Sequence, residues 1–222
     1  MKLELLSLGS MDYASAYQLQ VALLEQRIAE PDLHPDRLLL VEHDPVYTLG
    51  KYATDRDIVF ADAQRKALGI DLVQTDRGGQ VTYHGPGQIT GYPIIRLSRK
   101  RGSGVAWYVN RLEEMLILTL RHFGLEGARD SINPGVWLGS DKVAAIGVRI
   151  RRQITMHGFA LNVRAELSHY AGIVPCGIKE RGVTSMHEHV PDIRVEDVKP
   201  ILMDAFCEAF GYEGCKESSE VL

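Results

Sequence analysis

The sequence has 222 residues, of which 45% are hydrophobic and 24% are charged; these values are ordinary for a globular protein and argue against a disordered, fibrous or coiled-coil chain. The net charge of −4 at pH 7 gives no whole-chain attraction to nucleic acid or to an anionic membrane. No apolar run approaches the roughly 20 residues that span a bilayer, and residues 1–7 lack the features of a signal or transit peptide. We therefore expect a cytoplasmic protein with a single domain over residues 1–222 and with neither nucleic acid nor membrane as a partner.

Apolar spacing predicts the regular elements of the first half of the chain. A short strand over residues 3–8 is followed by a helix over residues 12–30, for which Asp12 is the expected N-cap. The continuous apolar run over residues 37–42 predicts a strand that is buried on both faces. A second helix is predicted over residues 103–123. Its inward face is expected to carry Trp107, Val109, Leu112, Leu116 and Leu120.

The second half begins with strands. Residues 135–150 are typical of a strand, a tight turn and a second strand, with turn residues at positions 139–141. Residues 154–163 predict another strand, and residues 194–210 predict a terminal helix. Because the helices do not alternate regularly with the strands, the sequence favours an α+β fold with a mixed or antiparallel sheet and packed helices rather than a doubly wound sheet.

Chemically unusual residues concentrate between Arg77 and Pro93, a segment with five glycines, one histidine and one arginine. Glycines at this density are costly unless the backbone geometry or the close approach of a ligand requires them. The spacing matches neither a Walker A loop nor a dinucleotide-binding fingerprint. We interpret the segment as a functional loop, with an irregular hairpin as the alternative.

Cys176 lies between Pro175 and Gly177 and is one of three cysteines, an odd number that does not suggest a disulfide framework. A lone cysteine is more often a small buried hydrophobic residue, but an intracellular cysteine in a Gly/Pro loop is also a candidate nucleophile. A nearby ammonium would favour its thiolate. Lys142, just beyond a predicted turn and followed by small residues, is the candidate, although a lysine at a turn is usually a solvated surface charge.

Four blocks of this sequence resemble the octanoyltransferases of lipoate biosynthesis, in the order and spacing of that family. The first block is the glycine-rich segment, and the others cover residues 142–147, 157–162 and 172–177. The positions of the first block that match the family signature are Arg77, Gly78, Gly79, Thr82, Tyr83, His84, Gly87, Gln88 and Tyr92.

This resemblance implies the core of the biotin and lipoate protein ligases, and an acyltransferase that performs the first step of endogenous protein lipoylation. It implies Cys176 as the nucleophile that carries an acyl thioester and Lys142 as its acid/base partner. It implies transfer of octanoyl, or lipoyl, from the phosphopantetheine arm of acyl carrier protein to a lysine on the lipoyl domains of 2-oxoacid dehydrogenases and of the glycine-cleavage system. Neither ATP nor a metal is expected as a cofactor. The substrate-binding residues implied by the resemblance are Arg77, Gly78, Gly79, Gln80, Val81, Thr82, Tyr83, His84, Ala145, Ile146, Gly147, Gly158, Phe159 and Ala160.

The resemblance places His84 on the substrate loop as a binding or orienting residue rather than as an obligatory base. The alternating His187 and His189 are too few for a metal site. Basic clusters at residues 99–101 and 149–152 are either a solvated face or a local rim that attracts acidic partners.

Two other functions compete with the transferase. An ATP-dependent lipoate–protein ligase would need an adenylate site and no reactive cysteine, and a non-catalytic binder of lipoyl domains would need neither Lys142 nor Cys176.

Overall fold

A computed structural model of the chain describes residues 2–98, 104–174 and 181–218, and these residues form two β-sheets and four α-helices. The helices are α1 (Tyr13–Ala29), α2 (Asp62–Ala67), α3 (Val105–His122) and α4 (Val195–Phe210). The strands are β1 (Lys2–Ser10), β2 (Asp36–Glu42), β3 (Val46–Leu49), β4 (Asp71–Gln74), β5 (Val81–His84), β6 (Gln88–Ile94), β7 (Ala128–Arg129), β8 (Gly135–Leu138), β9 (Asp141–Arg151), β10 (Ile154–Asn162) and β11 (Gly214–Glu217).

The larger sheet has eight strands in the order β11-β1-β2-β6-β10-β9-β8-β7. Strand β1 runs parallel to both β11 and β2, and every other neighbouring pair is antiparallel. The predicted mixed sheet with packed helices is therefore confirmed.

Helices cover both faces of this sheet. On β2, Leu38 and Leu40 belong to the core that contains α3 and α4, whereas Leu39 and Val41 belong to the core that contains α1. Alternate residues of a strand point to opposite faces, so a strand covered on both sides needs a continuous apolar run. This is the physical reason that residues 37–42 are all apolar except at the two ends.

The smaller sheet has the order β4-β3-β5, with β3 and β4 parallel and β3 and β5 antiparallel. Strand β5 pairs with β3, and β6 pairs with β2 and β10 in the larger sheet. The alternative of a hairpin across the glycine-rich segment is thus wrong, because its two strands belong to different sheets. The chain crosses from one sheet to the other between His84 and Gln88.

Most of the predicted helices and strands are confirmed. The side chain of Asp12 accepts a hydrogen bond from the Ser15 amide at 2.9 Å, so it caps α1 as expected. In α3, Val109 is only half-buried and lines a cavity rather than the core, while Trp107 packs against the core from its edge. No helix among the described residues is long and apolar enough to cross a membrane.

Candidate active site

A cavity of about 670 Å³ lies where the smaller sheet meets β9 and β10. This volume is within the range of small-molecule sites. Three separate parts of the chain form its wall, namely the loop and strand over residues 77–84, residues 142–148 of β9 and residues 157–162 of β10. Of the residues expected at the site, those that line the cavity are Arg77, Gly78, Gly79, Gln80, Val81, Thr82, His84, Lys142, Ala145, Ile146, Gly147, Gly158, Phe159 and Ala160.

The cavity has an exposed mouth and a buried interior. Tyr52, Val105 and Ile132 line it with exposed apolar side chains, whereas Tyr92 and His157 line it with side chains that are almost wholly buried. An elongated ligand would therefore enter past an apolar rim and end among buried aromatic and imidazole rings.

Tyr83 is the one expected binding residue outside this lining. Its ring is fully buried, and its hydroxyl lies 2.9 Å from Nδ1 of His169. Because successive residues of a strand point to opposite sides, Thr82 and His84 face the cavity while Tyr83 packs behind the loop, against the ring of Tyr170.

Lys142 is the second residue of β9 and is buried, with only 8% of its surface exposed. Its Nζ donates a hydrogen bond to the Pro134 carbonyl at 3.2 Å and lies 4.8 Å from the centroid of the Trp137 ring. The usual expectation of a solvated lysine beside a turn is therefore wrong here. The structure places an ammonium group in the wall of the cavity, held by a carbonyl and an aromatic face.

Cys176 lies outside the described residues. The chain on either side of residues 175–180 is tied down: the Val174 amide donates to the Asp57 carbonyl at 2.8 Å, and the Lys142 amide donates to the Gly182 carbonyl at 3.0 Å. The Thr184 amide donates in turn to the Lys142 carbonyl at 3.0 Å. The strand that carries Lys142 therefore pairs directly with the segment that follows residues 175–180.

A buried polar network begins at Arg77. Its Nε and Nη2 donate to the Thr48 hydroxyl at 3.2 and 2.9 Å, and Nη2 also donates to the Thr48 carbonyl at 2.6 Å. With its oxygen accepting from the guanidinium, the Thr48 hydroxyl directs its proton to Nε2 of His84, 3.4 Å away. Arg77 thus fixes the loop by its hydrogen bonds to Thr48, and its guanidinium places a positive charge beside the cavity.

His84 is neutral in this network. Its Nδ1 lies 2.8 Å from Oε1 of Gln88, an atom that only accepts, so Nδ1 carries the proton. Burial is the largest cause that holds the pKa of His84 well below its usual value of 6.5, followed by electrostatic interactions with the neighbouring His43 and with the guanidinium of Arg77. Such an imidazole orients neighbouring groups; it does not supply a positive charge.

Gln88 carries the network into the larger sheet. Its amide nitrogen donates to Oδ1 of Asn162 at 2.8 Å, and Nδ2 of Asn162 donates to the Thr184 carbonyl at 3.0 Å. The glycine-rich loop and the segment beside Lys142 are therefore joined by a continuous run of hydrogen bonds through buried side chains.

Glycines allow a close approach of backbone segments at two positions of the cavity lining. A Cβ on Gly147 would lie 3.0 Å from the Gly78 carbonyl oxygen, and a Cβ on Gly158 would lie 2.2 Å from the Gly91 carbonyl oxygen. Only glycine fits the second position without a shift of the backbone.

His157 lines the cavity but was absent from the expected site. Its backbone adopts φ of +54°, which is unusual for a residue with a Cβ, and its Nε2 lies 2.6 Å from Oδ1 of Asp76. Burial lowers the pKa of His157, and the hydrogen bond from His157 lowers the pKa of Asp76. His157 opens the third block of the family resemblance, which was a usable signal; Tyr13, which also lines the cavity, lies far upstream and carried none.

The cysteines at positions 207 and 215 do not line the cavity. Cys207 and Cys215 are half-buried free thiols, and burial raises the pKa of Cys207 and raises that of Cys215 to about 11. Within the described residues, no cluster of three or more histidine, cysteine or acidic side chains is arranged to hold a metal ion. Arg149 and Arg151 form ion pairs with carboxylates, and the basic cluster at residues 99–101 lies outside the described residues.

This fold and cavity match known proteins. Residues 12–207 match the family described as lipoyl protein ligase A/B catalytic domain. An octanoyltransferase from Alkaliphilus metalliredigens is 45% identical to this chain over 217 residues, which cover 96% of the chain and 97% of that protein. An octanoyltransferase from Gloeobacter violaceus is 44% identical over 205 residues, 92% of this chain and 89% of that protein. The chain belongs to the octanoyltransferases, a transferase family within the lipoyl protein ligase A/B catalytic domains.

A solved structure of lipoate-protein ligase A bound with ATP superimposes on the fold with a TM-score of 0.78. It is 18% identical in sequence, and the match covers 100% of this chain and 91% of that one. The similarity confirms the expected ligase-type core and, at this level of identity, concerns the fold alone.

Proposed function

We propose that this protein transfers an octanoyl group, or a lipoyl group, from acyl carrier protein to a lysine of lipoyl domains, through a thioester on Cys176 and with Lys142 as the acid/base. The observation that carries the proposal is the burial of Lys142 in the wall of a cavity that the glycine-rich loop, β9 and β10 build together. The names of the relatives support octanoyl transfer.

In the first step, the neutral amine of Lys142 takes the thiol proton of Cys176 to give a thiolate and an ammonium, and the thiolate attacks the acyl carbonyl on the phosphopantetheine arm. A bond forms between Sγ and the acyl carbon, the bond from that carbon to the phosphopantetheine sulfur breaks, and the proton returns from Lys142 to the departing thiol. One thioester replaces another, so the step needs no ATP.

In the second step, the amine of the acceptor lysine attacks the acyl-enzyme while Lys142, in its neutral form, takes the proton of that amine. The carbon–nitrogen bond of the amide forms, the bond to Sγ of Cys176 breaks, and Lys142 returns the proton to Sγ, which regenerates the thiol and the neutral amine. Amide formation from a thioester is downhill, which gives the cycle its direction without a metal or a nucleotide.

The geometry of His84 supports a positioning role. Both ring nitrogens of this buried imidazole already have hydrogen-bond partners in the protein. Its Nδ1–H donates to Gln88, and its Nε2 accepts from the Thr48 hydroxyl. It therefore shapes the loop that binds the acyl group, and the proton transfers fall to Lys142.

We place the reaction in the cytoplasm, as the first step of endogenous protein lipoylation. The acceptors would be lipoyl domains of the 2-oxoacid dehydrogenases and of the glycine-cleavage system.

The test is the intact mass of the protein after it is mixed with octanoyl-acyl carrier protein in the absence of ATP. We expect one added octanoyl group, which is lost again when a lipoyl domain is supplied. Cys176→Ala should show no adduct, whereas Cys207→Ala and Cys215→Ala should behave like the unaltered protein.

Modification of the lipoyl domain only when ATP and free octanoate are supplied would replace the transferase with the ligase. Binding of the lipoyl domain with no acyl transfer under either condition would leave the non-catalytic binder.

A further inference from the structure

The surroundings of Lys142 include contacts that the two-residue mechanism does not use. The ring of Trp137, 97% buried, lies 4.8 Å from the ammonium of Lys142 and 4.4 Å from the guanidinium carbon of Arg181. One aromatic ring therefore contacts both cations.

Asp130 connects this ring to the carbonyl that holds the lysine. Its carboxylate accepts hydrogen bonds from the amides of Ile132 and Asn133, both at 2.9 Å, and it forms an ion pair with Arg181. The ordered turn leads directly to Pro134, whose carbonyl accepts from the lysine ammonium at 3.2 Å.

The neighbouring backbone holds the same arrangement from the other side. Asp141 accepts a hydrogen bond from the Gly182 amide at 3.0 Å, and Lys142 pairs with Val183 through its own amide and carbonyl. Arg181 comes immediately before this pairing and five positions after Cys176 in the sequence. The arginine that contacts Trp137 is thus fixed to the strand that carries Lys142.

A lysine side chain is a long flexible stem that ends in a compact charge, and its head has no preferred position of its own. Proton transfer requires the donor and acceptor atoms to lie within hydrogen-bond reach in a defined orientation. An aromatic face attracts an ammonium group that lies above it. A ring held in place by a second, ion-paired cation therefore restricts where the lysine head can lie.

We propose that Trp137 and Arg181 are positioning residues that hold the ammonium of Lys142 at the cavity wall for acyl transfer, with Asp130 fixing both Arg181 and the turn that ends at Pro134. This inference rests on the proposed function, because it assigns the positioning of the group that moves the proton.

The experiment measures single-turnover acylation of the protein by octanoyl-pantetheine as a function of concentration and of pH. For Trp137→Leu we expect the maximal rate to fall by about 10- to 100-fold, the loss typical of a misplaced catalytic group. The concentration that gives half the maximal rate should change less than about threefold, and the pH dependence of the rate should change shape because the lysine head is no longer held.

Trp137→Phe keeps an aromatic face and should restore most of the rate. Trp107→Leu, at the other tryptophan of the chain, is the matched control and should acylate normally. Arg181→Gln, at a partly exposed side chain that tolerates change, should lower the rate by about 3- to 10-fold, between the effects of the two Trp137 variants. If Trp137→Leu does not fold, the Arg181→Gln variant still tests the proposal.

Two outcomes would overturn the inference. The first is a folded Trp137→Leu protein that acylates within twofold of normal with an unchanged pH profile. The second is a Trp137→Phe variant as slow as Trp137→Leu. The Lys142→Met variant distinguishes failure of the proposed function from failure of this inference. If Lys142→Met is fully active, Lys142 does not transfer the proton and the proposed function is wrong. If Lys142→Met is inactive but Trp137→Leu is unaffected, only the positioning role is wrong.

Discussion

Acid should destabilise this protein well before its carboxylates are protonated, because three buried histidines have pKa values below the usual 6.5 in the folded state. Burial is the largest cause that lowers the pKa values of His43, His84 and His157 below the usual 6.5. In the unfolded chain each imidazole takes up a proton near pH 6.5, so the unfolded state binds more protons and stability falls as the pH falls. Asp76, whose pKa is lowered from 3.8, keeps its charge over this window and its contribution to stability is unchanged.

The size of the effect follows from proton linkage. Each histidine that stays neutral in the folded protein lowers the free energy of unfolding by about 1.4 kcal/mol between pH 7.5 and pH 5.5. Three such histidines lower it by up to about 4 kcal/mol. This is a large part of the 5–15 kcal/mol that is typical of a domain. The measurement is the free energy of unfolding from urea titrations at pH 7.5, 6.5 and 5.5, at constant ionic strength.

Variants identify the groups responsible. His84→Gln should be less stable at pH 7.5 but should lose about a third of the pH dependence, whereas His122→Gln, at an exposed position on α3, should keep all of it. A loss smaller than about 1 kcal/mol for the unaltered protein between pH 7.5 and 5.5 would refute the reasoning, because the folded state would then be binding the protons.

Three further substitutions test the packing around the cavity by urea unfolding. Gly158→Ala should lower the free energy of unfolding by about 1–3 kcal/mol, because its Cβ would lie 2.2 Å from the Gly91 carbonyl oxygen. Gly214→Ala is the control; its Cβ would lie in open space, so the free energy of unfolding should change by less than about 0.5 kcal/mol. Equal effects of the two substitutions would contradict the argument. Gln88→Leu should cost about 2–4 kcal/mol, because it leaves buried polar partners unpaired, and a neutral result would mean that the network is not formed. Thr155→Val, nearly isosteric, should cost about 1–3 kcal/mol, because its hydroxyl accepts from one backbone amide and donates to a carbonyl at 2.6 Å; a stabilising result would exclude these bonds.

The sequence predicted the long elements because their apolar spacing is set by burial against a sheet. The strands of the smaller sheet escaped prediction for a physical reason. Strands β3, β4 and β5 have four residues each, which is too short for an alternating pattern to stand out from a loop. The parallel pairing of β1 with β2 and β11 was equally inaccessible, since it depends on distant segments of the chain.

The resemblance to the family predicted most residues of the three wall segments, but it did not predict Tyr13 or His157, which also line the cavity. Tyr83 could have been separated from Thr82 and His84 by the alternation of a strand alone. The burial of Lys142 could not have been predicted from the sequence. It depends on contacts that Pro134 and Trp137 make with the lysine across the β8–β9 hairpin.

The width of the cavity is set by polar contacts between two sheets that share no ladder at that point. The Gly78 amide donates to the Val148 carbonyl at 3.0 Å, which attaches the glycine-rich loop to β9, while Gln88 attaches the end of β5 to β10 through Asn162. Apolar packing alone tolerates sliding, whereas buried hydrogen bonds are costly to break and have a fixed length. The glycine-rich segment therefore does two things with one set of residues: its glycines let the walls approach, and its arginine, histidine and glutamine fix how far they approach.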